Sequence, residues 1–301
     1  MKLFLHLGWG KAGATWLQSQ VFSQNKIFKT FDKYKLHSLV DPNWTEYNAK
    51  NAKKVIKSIT DEAKKHDVYS VVSAEGLVAS LHHSSINHET MLKRIAEIYD
   101  GEIKIIFFIR RHEDILTSLY IERLEQLRNL SINDFIKQYD SQIRYSLCYS
   151  ERIKFCQNIF GIHNVFIGAL EQLNKTPIKL KDNLQTFIGK SLQDFDNNIK
   201  PNSKASYLAF EKTRWLTPLL YTKFHYLYQR FLVRNPKKPS EFYLNRYRRH
   251  ISKNIRISEE MQYRNYLKKE INSNFGDIFL KDRQNLIEVT DIDIQNVWDS
   301  N

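Results

Sequence analysis

Two stretches of this chain place basic and hydroxyl residues at spacings that suit phosphate binding, and the first of them also contains glycines. The first follows an apolar run and contains Gly8, Gly10, Lys11, Gly13 and Thr15. Glycines let backbone amides approach a phosphate, and the free amides at the start of a following helix attract it. In the second stretch, Arg110 follows another apolar run and Ser118 comes eight residues later. An arginine at a strand end and a serine two helical turns further can hold one phosphate from two sides.

The first stretch departs from a Walker A loop at its central cation. Gly8 and Gly13 have the spacing of that motif, but Ala14 occupies the position at which a nucleotide triphosphatase carries lysine. The lysine of this loop is Lys11, two residues before Gly13. The sequence therefore predicts a phosphate-binding loop that is not built for a γ-phosphate.

The elements that position these residues alternate between strands and helices. Apolar runs predict strands at 3–7, 68–72, 103–109 and 164–168. Helical spacing is present from Thr15, over 46–65, from Ile115, over 132–139 and 142–160, and over 257–274. This alternation predicts an α/β, P-loop-like three-layer fold with a central parallel sheet and a helix-rich C-terminal portion. Both phosphate-binding stretches would lie at the carboxyl ends of strands, where such sheets bind ligands.

A carboxylate lies at the predicted end of the second strand, in the run Ser73-Ala74-Glu75-Gly76. A carboxylate at this edge of the sheet is a candidate to accept a proton from a hydroxyl substrate. A glutamate that caps the next helix or pairs with an arginine would explain Glu75 structurally. His82 and His83 follow in a polar stretch and are alternative bases. Glu171, after the fourth predicted strand, is interpreted as structural.

The glycine-rich stretch resembles a known cofactor-binding loop. The string His6-Leu7-Gly8-x-x-Lys11-x-Gly13-x-Thr15-Trp16 is similar to the 5′-phosphosulfate loop of sulfotransferases that use 3′-phosphoadenosine 5′-phosphosulfate (PAPS), particularly their bacterial carbohydrate-modifying branch. Arg110 and Ser118 resemble the family's 3′-phosphate-binding segment, with His112 in place of a frequent proline. Ala12 and Ala14 replace two hydroxyl residues of the family pattern, so Thr15 and the backbone amides are left to hold the 5′-phosphate.

The resemblance implies transfer of a sulfuryl group from PAPS to a hydroxyl of a carbohydrate acceptor, on a cell-envelope polysaccharide or a glycolipid, with a protein tyrosine or a small alcohol as alternative acceptors. Lys11 would stabilise charge on the departing phosphate, so that no metal is required. Glu75 would be the general base, because similar proteins carry a Ser-x-Glu-Gly run there. Trp16 would stack on adenine or pack in the core. The PAPS-binding residues would be Gly8, Gly10, Lys11, Ala12, Gly13, Ala14, Thr15, Trp16, Arg110 and Ser118.

Length and charge are compatible with one such domain. The 301 residues would form a single sulfotransferase domain, with a PAPS-binding α/β core in 1–200 and helical acceptor-side elements in 201–301. The formal net charge of +13 favours anionic partners, among them an acidic glycan and an anionic membrane surface. Nucleic acid is disfavoured, because no helix-turn-helix, zinc-ligand or RNP-like signature accompanies the charge.

Sequence features also predict the compartment. No segment resembles a signal peptide, and no apolar stretch has the length of a membrane span. Cys148 and Cys156 lie two turns apart in one helical pattern, too far apart to form a disulfide readily. We expect a cytoplasmic protein, which could contact the inner face of the cell membrane.

Two C-terminal segments are both basic and aromatic. Residues 207–234 favour a core helix broken at Pro218, or alternatively a surface that binds a membrane or sugars. Arg246, Arg248 and Arg249 form a dense cationic patch. This patch would be a solvated face, or a site for an acidic acceptor or the 3′-phosphate.

Two other classes of function stay open. A P-loop kinase or nucleotide phosphotransferase would share the first motif, but it needs a lysine after Gly13 and a carboxylate that binds magnesium. A non-catalytic glycan- or membrane-binding protein on a sulfotransferase scaffold would account for Ala12 and Ala14. The presence of both phosphate motifs together with Lys11 and Glu75 favours the enzyme.

Overall fold

The computed structural model describes residues 2–31, 33–41, 46–75, 77, 88–125, 130–195, 206–214 and 247–299. Five strands in these ranges form one sheet: β1 (Lys2–Gly8), β2 (Phe28–Phe31), β3 (Tyr69–Glu75), β4 (Glu102–Ile109) and β5 (Val165–Ala169). Their order across the sheet is β2-β3-β1-β4-β5. All neighbouring strands are parallel, so their carboxyl ends share one edge.

Helices connect and flank the strands. The first, α1 (Ala14–Trp16), continues directly into a π-helical stretch, Leu17–Ser23. The others are α2 (Lys33–Val40), α3 (Ala49–Lys65), α4 (His88–Ile98), α5 (His112–Glu125), α6 (Ile132–Ser146), α7 (Tyr149–Phe160), α8 (Gln172–Lys175), α9 (Pro177–Ile188), α10 (Tyr207–Lys212), α11 (Ile257–Val289) and α12 (Ile294–Asp299). Residues 247–252 are also helical. Among the helices in the described ranges, none is both long and apolar enough to cross a membrane.

The single helix predicted over 142–160 is wrong. Helix α6 ends at Ser146 and α7 begins at Tyr149. The break has a physical cause, because the buried carboxylate of Asp282 accepts the backbone N–H groups of Tyr149 and Ser150 at 3.0 Å each. These are amides at the start of α7, which a preceding helical turn would otherwise use. Cys156, in α7, is a free thiol, as is Cys148 just before it.

Side chains cover both faces of the sheet, which gives three layers. On one face, Phe4, Val71, Ile106 and Phe108 of the strands belong to a core cluster with residues of the π-helical stretch and of α9. On the other face, Phe107 contacts Trp9, which in turn packs on Tyr149 of α7. Successive residues of β4 therefore point to opposite faces, as in any strand. The predicted α/β, P-loop-like fold with a central parallel sheet is confirmed.

The chain forms two compact units. Unit 1 consists of residues 1–112, 141–197 and 277–301 and contains the whole sheet. Unit 2 consists of residues 113–140 and 198–276, and its described elements are helices. Residues of α11 from Asp277 onward thus belong to the unit that holds the sheet. The functional division into a core in 1–200 and acceptor-side elements in 201–301 stays a prediction.

Candidate functional site

The order of the strands brings the two phosphate motifs to one place. Strand β1 lies between β3 and β4. The chain leaves β1 toward β2, on one side, and leaves β4 toward β5, on the other. Connections that diverge in this way open a crevice at the carboxyl ends of the two strands, where ligands of parallel sheets bind. The glycine loop follows β1 and Arg110 follows β4, so both border this crevice.

The glycine loop has an unusual backbone conformation. Lys11 has a φ of 71° and Gly13 a φ of 105°, both in the left-handed region. A left-handed conformation costs a residue with a side chain about 1–2 kcal/mol, and such strain clusters at functional sites. The Ala12 N–H donates to the Trp9 carbonyl at 3.1 Å, which closes a turn. The loop then runs into α1, whose first amides have no partner within the helix.

Exposure separates the side chains of the loop. Ala12 and Ala14 are 1% and 4% exposed, whereas Thr15 is an exposed residue. Thr15 is also the one hydroxyl residue between Gly8 and Thr15. It is therefore the hydroxyl residue of the loop that is accessible from solvent, and its binding to the 5′-phosphate stays a prediction.

Trp9 anchors the loop to the body of unit 1, a role that was not predicted from the sequence. Its buried ring lies 4.5 Å from the ring of Tyr149 and 5.7 Å from that of Phe107, between ring centroids. Its indole N–H donates to the carbonyl of Ser146. An aromatic residue inside a glycine loop is the signal that could have suggested an anchor.

Arg110 contacts the glycine loop directly. Its Nη1 donates to the carbonyl of Lys11 at 3.2 Å, and its own carbonyl accepts the Tyr149 hydroxyl at 3.0 Å. A guanidinium carries five N–H donors in a planar fork, and the contact with Lys11 uses one nitrogen. The half-buried Arg110 therefore ties the loop in place and supplies positive charge beside it.

Two other predicted site residues are placed in outline. Glu75 is the last residue of β3 and lies opposite Gly8 in the strand register, so its backbone is at the same edge of the sheet as the loop. Ser118 is half-buried on α5, in unit 2, whereas Arg110 is in unit 1. Their joint grip on one phosphate stays a prediction. His82 and His83 lie outside the described residues, so the identity of the base is open.

A hydrogen-bonded cluster lies beneath the loop. The buried His6 Nδ1 is 2.7 Å from Ser73 Oγ, and the Gln18 amide donates to the same oxygen at 2.8 Å. Burial lowers the pKa of His6 to about 3, so the ring is neutral at ordinary pH. The cluster joins β1, β3 and the π-helical stretch immediately beside the glycine loop, which fixes the relative positions of these three elements.

Trp16, at the end of α1, packs against aromatic residues. The ring of Trp16 lies 5.7 Å from that of Phe108 and 4.8 Å from that of Phe195, at the border of the core cluster. This is the core packing offered as one alternative. The ring is half-buried, and stacking on adenine stays a prediction.

The aromatic and basic segment predicted over 207–234 is described in part. Its residues from 215 onward lie outside the described residues.

The solvated-face interpretation of the arginine patch is wrong for Arg248, which is 0% exposed. Its Nε donates to Thr213 Oγ1 at 2.9 Å and its Nη2 to the Leu124 carbonyl at 3.2 Å. Its guanidinium also lies 4.5 Å from the centre of the Phe210 ring. Arg248 therefore joins three segments of unit 2. Arg249 is exposed, and Arg246 lies outside the described residues.

No protein-family model and no curated protein matches this chain. Among solved structures, the chain is similar to the crystal structure of a sulfotransferase from Alicyclobacillus acidocaldarius. The two share 18% sequence identity with a TM-score of 0.45, over 71% of this chain and 91% of that chain. We base the functional proposal on the glycine loop and Arg110, and on the residues predicted to act with them.

Proposed function

We propose that this protein is a sulfotransferase that moves a sulfuryl group from PAPS to a hydroxyl of a carbohydrate. The observation that carries the proposal is the contact between Arg110 and the carbonyl of Lys11, which joins the two elements predicted to bind anions at one edge of the sheet. PAPS carries anionic groups at two positions, the 5′-phosphosulfate and the 3′-phosphate. The absence of a lysine after Gly13 disfavours a γ-phosphate donor.

Each of the predicted site residues has a separate role in the proposed reaction. The loop amides and Thr15 hold the 5′-phosphate, and Arg110 with Ser118 holds the 3′-phosphate. Glu75 accepts the proton of the acceptor hydroxyl while the oxygen of that hydroxyl forms the new bond to sulfur. The bond between sulfur and the phosphate oxygen breaks, and Lys11 stabilises the negative charge left on that oxygen. The products are a sulfate ester and adenosine 3′,5′-bisphosphate.

The charge of the chain supports an acidic carbohydrate as acceptor, on a cell-envelope polysaccharide or a glycolipid. The formal net charge is +13, and exposed lysines line the outer face of α3. Such a charge attracts polyanions and anionic lipid headgroups. We therefore include peripheral contact with an anionic membrane in the proposal, and we include a cytoplasmic location because Cys148 and Cys156 are free thiols.

Calorimetric titration without added metal tests the nucleotide site. Adenosine 3′,5′-bisphosphate should bind more tightly than adenosine 5′-monophosphate and than ATP with magnesium. Arg110→Ala should weaken bisphosphate binding by about 10- to 100-fold, which is ~1.4–2.8 kcal/mol. The exposed Arg256→Ala, just before α11, is the matched control and should change nothing. Preference for ATP with magnesium would refute the proposal and favour a kinase.

Transfer from radiolabelled PAPS to acidic polysaccharides tests the chemistry. Lys11→Ala should lower kcat by about 10²–10³-fold, because it removes charge from the leaving phosphate. Alanine and lysine pay a similar cost at the positive φ of this position, so the change isolates the charge. Tight bisphosphate binding without transfer to any acceptor would instead indicate a non-catalytic protein on this scaffold.

A further inference from the structure

We propose that the buried pair His112–Asp282 is a positioning device for Arg110, which sets the grip on the 3′-phosphate of the nucleotide. This inference rests on the proposed function. It assigns a role in cofactor selectivity to Asp282, which lies 170 residues from His112 along the chain. All the residues involved belong to unit 1.

The ring of His112 is held by hydrogen bonds at Nε2 and by stacking on both of its faces. Its Nε2 lies 3.0 Å from Asp282 Oδ2 and 3.1 Å from the Leu147 carbonyl. Both partners are acceptors, so this nitrogen carries the hydrogen. The ring stacks on Tyr149 at 4.5 Å and on Phe279 at 4.6 Å between centroids. His112 is 0% exposed, so it has no freedom to follow a ligand.

Asp282 closes a ring of contacts that returns to Arg110. Its carboxylate accepts the Ser150 hydroxyl at 2.6 Å, besides the two backbone N–H groups at the start of α7. The first residue of that helix, Tyr149, donates its hydroxyl to the Arg110 carbonyl at 3.0 Å. Tyr149 therefore binds the backbone of Arg110 directly, and His112 anchors the chain two residues after Arg110. Asp282 accepts hydrogen bonds from both Tyr149 and His112.

The residue between them is held as well. The backbone N–H of Arg111 donates to Glu171 Oε1 at 3.0 Å, and the other oxygen of Glu171 accepts the Trp298 indole N–H at 3.0 Å. Trp298 also meets the His112 ring edge-on at 5.4 Å. Glu171 and Trp298 thus hold the two residues that follow Arg110.

The chemistry of the pair favours a role in positioning. A buried carboxylate loses its hydration, and well-packed apolar side chains of similar volume often serve stability as well or better. A hydrogen-bonded pair, by contrast, forms only when its donor faces its acceptor, so it allows one orientation of the segment that carries Arg110. Phosphate recognition by arginine needs this, because the planar fork binds well only when it is held within about 0.5 Å of its productive geometry.

The test compares two nucleotides that differ only in the 3′-phosphate. His112→Leu should weaken binding of adenosine 3′,5′-bisphosphate about tenfold, ~1.4 kcal/mol, and leave adenosine 5′-monophosphate unchanged. The KM for PAPS should rise while kcat is kept, because the 3′-phosphate is held equally before and during transfer. His112→Gln places an amide N–H near the position of Nε2 and should restore most of the bisphosphate binding.

Asn25→Ala is the matched control for loss of a buried polar contact. Asn25 is 4% exposed and donates to the Val21 carbonyl at 2.8 Å, before β2 and away from the crevice. It should lower stability without changing the preference for the bisphosphate. If His112→Leu does not fold, Asp282→Asn is measured instead, since it removes an acceptor from the same pair and should have the same effect.

Equal weakening of both nucleotides, or no weakening of either, would overturn the role of the pair. The same conclusion would follow if His112→Gln behaved as His112→Leu does. A wild-type protein that shows no preference for the bisphosphate over the monophosphate would instead refute the proposed function itself. The two failures are therefore distinguishable in one set of titrations.

Discussion

The glycine at position 13 offers a sharp test of how the loop is built. At its φ of 105°, an alanine would be in a conformation that costs about 1–2 kcal/mol. Its Cβ would also lie 2.6 Å from Leu170 Cδ1, so that side chain must move. Overpacking costs about 1–3 kcal/mol, and the low end applies because the contact is the end of a flexible side chain. We expect Gly13→Ala to destabilise unit 1 by roughly 2–3 kcal/mol.

The chain offers a matched control in Gly276, which lies within α11. An alanine Cβ there would meet nothing within 4 Å, and the backbone is helical. Replacing glycine by alanine inside a helix stabilises by roughly 0.5–1 kcal/mol. The same chemical change should therefore have opposite signs at the two positions.

Native-state hydrogen exchange measures both effects locally. Amides of β1 report on Gly13→Ala, and amides of α11 from Ile257 to Gly276 report on Gly276→Ala, so that the two units are followed separately. Titration with adenosine 3′,5′-bisphosphate should show weaker binding for Gly13→Ala alone, because the loop amides move. Protection of β1 that is unchanged or increased in Gly13→Ala would refute the argument from strain and close approach.

Three further changes test the surrounding structure. Burial lowers the pKa of His6 to about 3, below the 6.5 of an unfolded histidine, so the unfolded chain binds the extra proton between these values. Stability should decrease as the pH is lowered from 6.5 to 3, by up to ~1.4 kcal/mol per pH unit, and His6→Asn should flatten this dependence in unfolding titrations; parallel curves for the two proteins would contradict this. Arg248→Ala should destabilise unit 2 by roughly 3–5 kcal/mol, read from exchange of α10 amides, whereas Arg248→Met fills the space without a buried charge and should cost much less. Glu171→Gln leaves either the Arg111 backbone N–H or the Trp298 indole N–H without an acceptor and should cost about 1–2 kcal/mol, seen as faster exchange of one of these two hydrogens; unchanged exchange of both would argue against the bonds.

Elements with a long, regular pattern were predictable from the sequence. The strands at 68–72, 103–109 and 164–168 were found within a few residues of β3, β4 and β5. The edge strand β2 was missed, since its four residues are too few to establish a period. The break between α6 and α7 was missed as well, because the carboxylate that causes it comes from Asp282, more than 130 residues further along the chain.

Buried polar residues were the least predictable part. Charge and local pattern assign Arg248 to the surface, yet Thr213, Leu124 and Phe210 surround it. Likewise, an aromatic residue inside a glycine loop suggests an anchor, but the local pattern does not identify the partners of Trp9, which are Tyr149 and the Ser146 carbonyl. Such roles depend on partners from distant segments, and a local pattern does not contain them.

The sequence by itself determined the alternation of strands and helices, the glycine loop that follows β1 and the arginine that follows β4. These are local properties, since periodicity and backbone preference act over a few neighbouring residues. Only the tertiary structure decided that β1 and β4 are adjacent, so that Arg110 reaches the carbonyl of Lys11, 99 residues away. It also decided that His112 and Asp282 form one buried pair. Pairing between strands and burial of polar groups are set by the packing of the whole chain, because each such contact joins segments that are far apart in the sequence.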